Sequence, residues 1–156
     1  MIGGGAGCAA VLAPSVRLAL GPAQGGPEVP RWIPTVRFET LSHGVPKRVP
    51  VVADRHDAWT LEKSVPLGEV WLLRVMNEVK AWSADCPHLG CAVDLRENGP
   101  GFYCPCHDSS FDHIGRRVTG PSPRDLDSLE TRIADSMVLV EFRRFRRGTA
   151  AKVPVG

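Results

Sequence analysis

The sequence predicts an all-β domain of antiparallel strands, and three observations support this class. The chain holds 16 glycines and 14 prolines among its 156 residues, which favours many turns over long helices. Apolar residues come in short runs or alternate with polar ones, as is typical of strands. Beyond the N-terminal segment, no run of residues has a convincing helical period. Short strands joined by many turns are characteristic of the all-β antiparallel class.

Composition excludes two broad classes of protein. The chain is 43% hydrophobic and 23% charged, close to the average for globular proteins, so it is not disordered throughout. A formal net charge of +2 is too small to indicate nucleic-acid binding. A basic cluster near the end is interpreted as the solvated end of a strand and its tail; a patch for anionic lipid or an acidic partner is the alternative. The cluster consists of Arg143, Arg144, Arg146 and Arg147.

Residues 1–20 are predicted to form an apolar membrane anchor. From Ile2 to Leu20 the only polar side chains are those of Ser15 and Arg17, and a spanning helix needs ~20 mostly apolar residues. A signal-peptide remnant and a helix packed on the head are the alternatives. Cys8 is interpreted as a small buried residue of this segment.

Residues 21–31 are predicted to form a flexible linker that is rich in glycine and proline. The head follows at residues 32–147, and residues 148–156 form a tail. The predicted strands of the head share an alternating or continuous apolar pattern and cover residues 36–40, 49–51, 70–76, 79–82, 102–104, 131–133 and 137–142. Strands 70–76 and 79–82 pair through a turn near Asn77-Glu78, and a final hairpin turns at Asp135-Ser136.

Four of the five cysteines crowd into one short stretch, together with two histidines. The stretch contains Cys86-Pro-His88-Leu-Gly-Cys91, followed by Cys104-Pro-Cys106-His107. It reads Cys-x-His, then 15 residues, then Cys-x-x-His, so each pair fits on one tight loop. Two facing loops of this kind can hold a single metal centre. The cluster of cysteines indicates a metal site, a disulfide, or both.

A structural zinc site uses the same ligand types and is the competing interpretation. Zinc fingers usually place two cysteines in one pair and two histidines in the other, so mixed pairs are unusual for them. The other histidines have no such partners in sequence and are interpreted as ordinary surface or loop residues. They are His43, His56 and His113.

These two boxes resemble those of the Rieske iron–sulfur subunits of cytochrome bc-type complexes. The family boxes read Cys-Thr-His-Leu-Gly-Cys and Cys-Pro-Cys-His-Gly-Ser, and the resemblance extends from about Trp59 to Arg144. It implies a Rieske-type β sandwich with a small cluster-binding subdomain at about residues 83–123, holding one [2Fe-2S] cluster. Gly120-Pro121-Ser122-Pro123 resembles the proline loop of the family, which covers the cluster.

Carried over by position, the resemblance also implies a role for individual residues. Cys86 and Cys104 bind one iron, and His88 and His107 bind the other. Cys91 and Cys106 form a disulfide. Ser109 donates a hydrogen bond to a bridging sulfide, and Leu89 shields the cluster. His107, with His88, contacts the quinol.

The implied function is electron transfer from quinol to a c-type cytochrome, within a membrane complex that also contains cytochrome b. The chain is then a subunit of a reductase and is not catalytic alone. Its head lies on the outer, periplasmic side of a bacterial inner membrane. The alternative in the same redox class is a soluble Rieske ferredoxin or an oxygenase-linked Rieske domain, which usually lack the two disulfide cysteines.

Three residues depart from the family boxes. Pro87 replaces threonine, Asp108 replaces glycine, and Phe111 stands where respiratory members commonly have tyrosine. That tyrosine donates a hydrogen bond to a ligand thiolate in the family. Donors aimed at sulfur stabilise the more negative, reduced cluster and raise its potential. The loss of this donor at Phe111 predicts a lower potential and favours a low-potential quinol such as menaquinol.

Overall fold

The fold is built from antiparallel strands, which confirms the predicted all-β class. A computed structural model describes residue 3 and residues 32–56, 59–97 and 99–155. The predicted anchor, apart from Gly3, and the predicted linker therefore lie outside the described residues. Within these ranges the helical structure is one 3₁₀ turn, Phe38–Thr40. None of the helical structure in the described ranges is long and apolar enough to cross a bilayer.

A three-stranded sheet brings the first and last parts of the head together. Its strand order is β1-β11-β10. The strands are β1 (Ile33–Arg37), β10 (Thr131–Ala134) and β11 (Met137–Val140). Asp135 and Ser136 form the hairpin turn with φ angles of 49° and 63°, as predicted for that position. The predicted continuation of the first strand to Thr40 is wrong, because the chain enters the 3₁₀ turn after Arg37.

A four-stranded sheet of order β2-β3-β4-β9 forms the centre of the head. Its strands are β2 (Lys47–His56), β3 (Leu61–Val75), β4 (Glu78–Ser83) and β9 (Ser128–Leu129). The β3–β4 turn lies at Met76-Asn77, one residue earlier than predicted, since Val75 pairs with Glu78. Met76 has a φ of 54° and is 73% exposed, so it ends the buried run instead of belonging to it.

Residues 70–73 of strand β3 are buried on both faces, which explains the apolar run at these positions. Val70 and Leu72 pack into one core with residues of the three-stranded sheet. Trp71 and Leu73 point the other way, into a second core that contains Cys86 and the aromatic rings of Trp82, Phe102 and Phe111. Alternate residues of a strand face opposite sides of a sheet, so a strand between two cores needs apolar residues at every position.

A second four-stranded sheet, of order β5-β6-β7-β8, covers this second core. Its strands are β5 (Asp94–Leu95), β6 (Phe102–Cys104), β7 (Ser109–Phe111) and β8 (Arg117–Thr119). Phe102 is fully buried and lies between the rings of Trp71 and Trp82, at centroid distances of 5.5 and 6.0 Å. The chain ends in a small hairpin of β12 (Arg144–Phe145) and β13 (Pro154–Val155).

Leu72→Ala is expected to lower the free energy of unfolding by about 2–5 kcal/mol, because it leaves a cavity in a core that does not collapse. Leu72 has no exposed surface and belongs to the core between the three-stranded sheet and the central four-stranded sheet. Val52→Ala on β2, where the side chain is 39% exposed, should stay within about 0.5 kcal/mol of the parent. Urea denaturation measures both, and equal effects would contradict this core.

Candidate metal centre

The first box forms a tight loop between β4 and β5. The Cys86 amide donates to the carbonyl of Cys91 at 2.8 Å, and the Gly90 amide donates to the carbonyl of Cys86 at 2.8 Å. Gly90 has a φ of +82°, a conformation that glycine adopts without strain. Pro87 is fully buried at the start of the loop. This backbone closure holds Cys86 inside and turns His88 towards the second box.

The second box is the connection between β6 and β7. Cys104 and Ser109 face each other as the last register pair, so residues 105–108 form the exposed turn of a hairpin. Cys104 is 1% exposed, whereas His107 at the tip is exposed. Asp108 adopts a φ of 56°, which explains the glycine of the family box at this position. Aspartate tolerates the left-handed region better than most residues do.

The proline loop packs directly against the second box. The Ser122 amide donates to Ser109 Oγ at 3.0 Å, and both side chains are buried. A Cβ atom on Gly120, which has a φ of +90°, would lie 2.4 Å from Ser109 Cα. The two backbones therefore touch, and only glycine allows this approach. The loop forms a third wall of the site.

A disulfide joins Cys91 to Cys106, as the resemblance implies. Its Cα–Cα distance is 6.5 Å, and it ties the first box to the second across 15 residues. In the chain-entropy model, closing a loop of that length stabilises a fold by about 3 kcal/mol. The sulfurs of Cys91, Cys104 and Cys106 lie within 4.8 Å of one another, but the bond leaves only Cys104 with a free thiol. These three cysteines are consequently not a metal site by themselves.

The two loops carry a pair of free thiols and a pair of neighbouring imidazoles. Cys86 and Cys104 are both buried and unpaired by disulfides. The His88 and His107 rings are 4.8 Å apart between centroids and nearly perpendicular, at 86°. The four residues of the sequence motif thus form two pairs on the facing loops, one of buried thiols and one of neighbouring imidazoles. His43, His56 and His113 are exposed, as the sequence predicted.

Two observations show that these residues fit a metal centre. Among the described residues, His88 Nδ1 is the buried side-chain nitrogen or oxygen atom that lacks a hydrogen-bond partner. Burial raises the pKa of the Cys86 thiol to about 11, and the neighbouring Cys104 adds to the rise. A buried imidazole nitrogen without a partner is costly, and a buried thiolate needs a nearby cation. Metal ions coordinated by sulfur and nitrogen satisfy both needs.

The hydroxyl of Ser109 is oriented towards sulfur. One of its lone pairs accepts the Ser122 amide, so its hydrogen remains available to a second acceptor. A hydrogen bond from this hydroxyl lowers the pKa of Cys86 and thus favours the thiolate. Phe111 is 1% exposed and lies in the same apolar cluster as Cys86 and Cys104, where its ring offers no donor.

Two contacts behind the loops were not found by reasoning from the sequence. Arg124 forms a buried ion pair with Asp127, with side-chain exposures of 9% and 7%. Arg147, interpreted from sequence as part of a solvated tail, bonds to Asp85 at 3.2 Å beside the first box. Neither contact has a sequence signal, because one buries charges three residues apart in a loop and the other joins residues 62 positions apart.

Comparisons with known proteins show the family of the chain. The model of the Rieske [2Fe-2S] domain family matches residues 31–130. The chain is 30% identical over 139 residues to the menaquinol:cytochrome c reductase iron-sulfur subunit of Bacillus subtilis, covering 86% of this chain and 81% of that protein. It is 40% identical over 70 residues to the cytochrome b6-f complex iron-sulfur subunit of Prochlorococcus marinus, covering 43% of this chain and 39% of that protein.

Among solved structures, the crystal structure of the cyanobacterial plasma membrane Rieske protein of Synechocystis PCC 6803 has a TM-score of 0.42. It is 30% identical, over 51% of this chain and 83% of that one. The family model covers well over half of the chain, and the Bacillus protein aligns over most of both lengths. Two free thiols, two facing imidazoles and a bridging disulfide thus occur in a chain that belongs to the Rieske [2Fe-2S] domain family.

Proposed function

We propose that this chain is the electron-transfer subunit of a bc-type quinol:cytochrome c reductase. It accepts an electron and a proton from quinol and passes the electron to a c-type cytochrome, with cytochrome b in the same complex. It acts as a subunit and is not catalytic alone. Membership of the Rieske family and the likeness to a menaquinol:cytochrome c reductase subunit support this function.

The observation that carries the proposal is a pair of buried thiols and a pair of neighbouring imidazoles on two loops that a disulfide joins. Cys86 and Cys104 hold one iron of a [2Fe-2S] cluster, and His88 and His107 hold the other. When bound, the cluster supplies a one-electron acceptor whose potential its imidazole ligands raise. The unpartnered Nδ1 of His88 is the atom that this assignment directs to iron.

The two histidines differ in exposure, which distinguishes their roles towards quinol. His107 is exposed at the hairpin tip, whereas His88 is half-buried. An exposed imidazole accepts a hydrogen bond and then a proton from a quinol hydroxyl. His107 is therefore the main quinol contact, with His88 beside it. Leu89, which follows His88 in the first box and is 57% exposed, supplies an apolar surface at this loop.

The rest of the site excludes water and orients donors. Cys86 and Cys104 lie in the second apolar core, away from solvent. Ser109 directs its hydroxyl to sulfur and is held there by Ser122. Hydrogen bonds to cluster sulfurs stabilise the reduced state, so Ser109 raises the potential. Phe111 contributes no such bond, which supports a low-potential donor such as menaquinol.

Membrane attachment completes the proposal. Residues 1–20 anchor the chain, and residues 21–31 form a flexible linker. Residues 32–147 form the head, and within it residues 83–123 bind the cluster. Residues 148–156 form the tail. The head lies on the outer side of a bacterial inner membrane. A structural disulfide supports this side, because such bonds persist in oxidising compartments. The same bond disfavours a soluble ferredoxin or oxygenase-linked domain, and the Rieske family match disfavours a structural zinc module.

Paramagnetic resonance of the reduced protein tests the cluster directly. The reconstituted chain is expected to be coloured and to give the low-average-g signal of a Rieske centre. His107→Ser and His88→Ser should each abolish that signal, because each removes an iron ligand. His113→Ser, which changes an exposed histidine of the same subdomain, should keep it. Full iron content in a variant lacking both ligand histidines would contradict the assignment.

Function in the complex is tested in membranes of cells that lack this chain. Quinol-dependent reduction of the c-type cytochrome should be absent there, because the proposed electron carrier between quinol and the cytochrome is missing. The parent chain and His113→Ser should restore it, and His107→Ser should not. Restoration by His107→Ser would refute the proposed quinol contact.

Phe111→Tyr is expected to raise the midpoint potential by an amount on the order of tens of millivolts, the size of one added hydrogen bond. The new hydroxyl enters the apolar cluster that contains both thiols and can donate to a ligand sulfur. A redox titration, with circular dichroism as the readout of the cluster's oxidation state, measures the shift. Phe38→Tyr adds a hydroxyl beside the other core, which contains neither thiol, and serves as the control. An unchanged or lower potential in Phe111→Tyr would remove the argument for menaquinol.

Gly120→Ala is expected to speed loss of the cluster, because its new methyl group collides with the Ser109 backbone and displaces the proline loop. Gly44→Ala is the matched control. Gly44 also has a left-handed φ, +73°, but a Cβ there meets nothing within 4 Å. Both variants should lose about 1–2 kcal/mol of stability to backbone strain. Only Gly120→Ala should bleach faster in chelator; equal bleaching would contradict the role of this loop.

A further inference from the structure

The chain returns to the first box after β12, in a segment that we call the tail loop (residues 146–149). Gly148 has a φ of +69° and donates its amide to the carbonyl of Pro87 at 2.9 Å. A Cβ atom on Gly148 would lie 3.7 Å from the carbonyl oxygen of His88. The tail loop therefore touches the backbone of the loop that carries a histidine ligand.

Arg147 reinforces this contact from the outer side. Its guanidinium occupies the space beside Gly90, since a Cβ atom there would lie 2.1 Å from the guanidinium carbon. The same guanidinium bonds to Asp85, the residue before Cys86, at 3.2 Å. The flat group thus covers the first box and bonds to the residue at its start.

Arg124 fixes the other side of the tail loop. Its Nε and one terminal nitrogen each bond to Asp127 at 2.8 Å, in a buried ion pair. The remaining donors of the fork bind the carbonyls of Arg146, at 2.9 Å, and of Thr149. A guanidinium presents its five donors in a fixed plane, so this geometry sets the position of the tail loop.

Arg124 is itself tied to the proline loop. Ser122 Oγ donates to the Arg124 carbonyl at 2.8 Å, and the Ser122 amide donates to Ser109 on the second box. A closed ring of links results: the disulfide joins the boxes, Ser109 joins the second box to the proline loop, and Arg124 with the tail loop leads back to the first box. One tie alone leaves rotation about it, whereas a closed ring removes that freedom.

We propose that the tail loop is a fourth wall of the cluster site and that Arg124 is its positioning residue. It clamps the His88 loop non-covalently, in parallel with the Cys91–Cys106 bond. This inference rests on the proposed [2Fe-2S] centre. It predicts that the two clamps share one task, so that loss of either makes the other more important.

Iron release to a chelator, from the oxidised full-length protein, tests the clamp. Arg124→Leu is expected to speed release by about tenfold or more, because a buried ion pair is broken and the tail loop is freed. It should also shift the g values of the reduced cluster, as the His88 ring changes orientation. Arg48→Leu is the control, because Arg48 is likewise an arginine fixed by several bonds, to Glu69 on β3 and Asp94 on β5. Neither carboxylate belongs to the two boxes, the proline loop or the tail loop.

A double-mutant cycle tests the parallel arrangement. In a background where Cys91 and Cys106 are both replaced by alanine, Arg124→Leu should accelerate release by a larger factor than in the parent. Equal factors in the two backgrounds would overturn the shared task. Release no faster than in Arg48→Leu, with unchanged g values, would overturn the clamp altogether.

A second variant guards against misfolding caused by the unpaired Asp127. Arg147→Ala changes a half-exposed side chain that bonds the tail loop to Asp85 beside the first box, and it should also speed release and shift the g values. Parent behaviour in this variant counts against the clamp. A parent protein that never shows a Rieske signal instead refutes the proposed function, so the two failures are distinguishable.

Discussion

The structure depends on holding metal-binding atoms where the protein alone leaves them unsatisfied. Cys86 and Cys104 are buried in an apolar core, and His88 Nδ1 is buried without a partner. The unpartnered imidazole nitrogen costs free energy in the absence of a metal, and the buried thiols lose their protons only when a nearby cation stabilises the thiolates. Loops normally avoid such burial, so the surrounding fold must resist relaxation of the two boxes. The disulfide, the proline loop and the tail loop all serve that requirement.

Strand β3 provides the rigid base for these loops. It places Val70 and Leu72 in the core between the three-stranded sheet and the central four-stranded sheet, and Trp71 in the core beneath the site. The indole of Trp71 also donates to the carbonyl of Val93, just beyond the first box, at 2.9 Å. A strand buried on both faces resists local opening, because either face exposes apolar area when it moves. The two boxes are thus attached to a part of the head that is packed on both sides.

The exposed edge of the site is confined to a few side chains. His107 stands at the end of the β6–β7 turn, and Leu89 is exposed on the neighbouring loop. Buried sulfurs with an exposed imidazole are suited to electron transfer coupled to proton movement at the surface. The proposed exchange with quinol needs only this small contact, and the apolar core keeps solvent from the thiols. The packing behind the loops holds the sulfurs in place, and the exposed loop tips leave His107 and Leu89 accessible.

By itself, the sequence determined the features that local chemistry dictates. Alternation and turn residues predicted parts of β1 to β4, β6, β10 and β11 and the Asp135-Ser136 hairpin, but not the other short strands. The spacing of cysteine and histidine predicted the loops and, through the family resemblance, the disulfide. It placed the end of β3 one residue late, since an apolar Met76 in a left-handed turn looks like strand. Only the tertiary structure decided the return of Arg147 and Gly148 to the first box and the burial of Arg124 with Asp127. Such contacts depend on where distant segments meet in the fold. Single arginines and a lone glycine have no periodicity or spacing in the sequence that would predict these contacts.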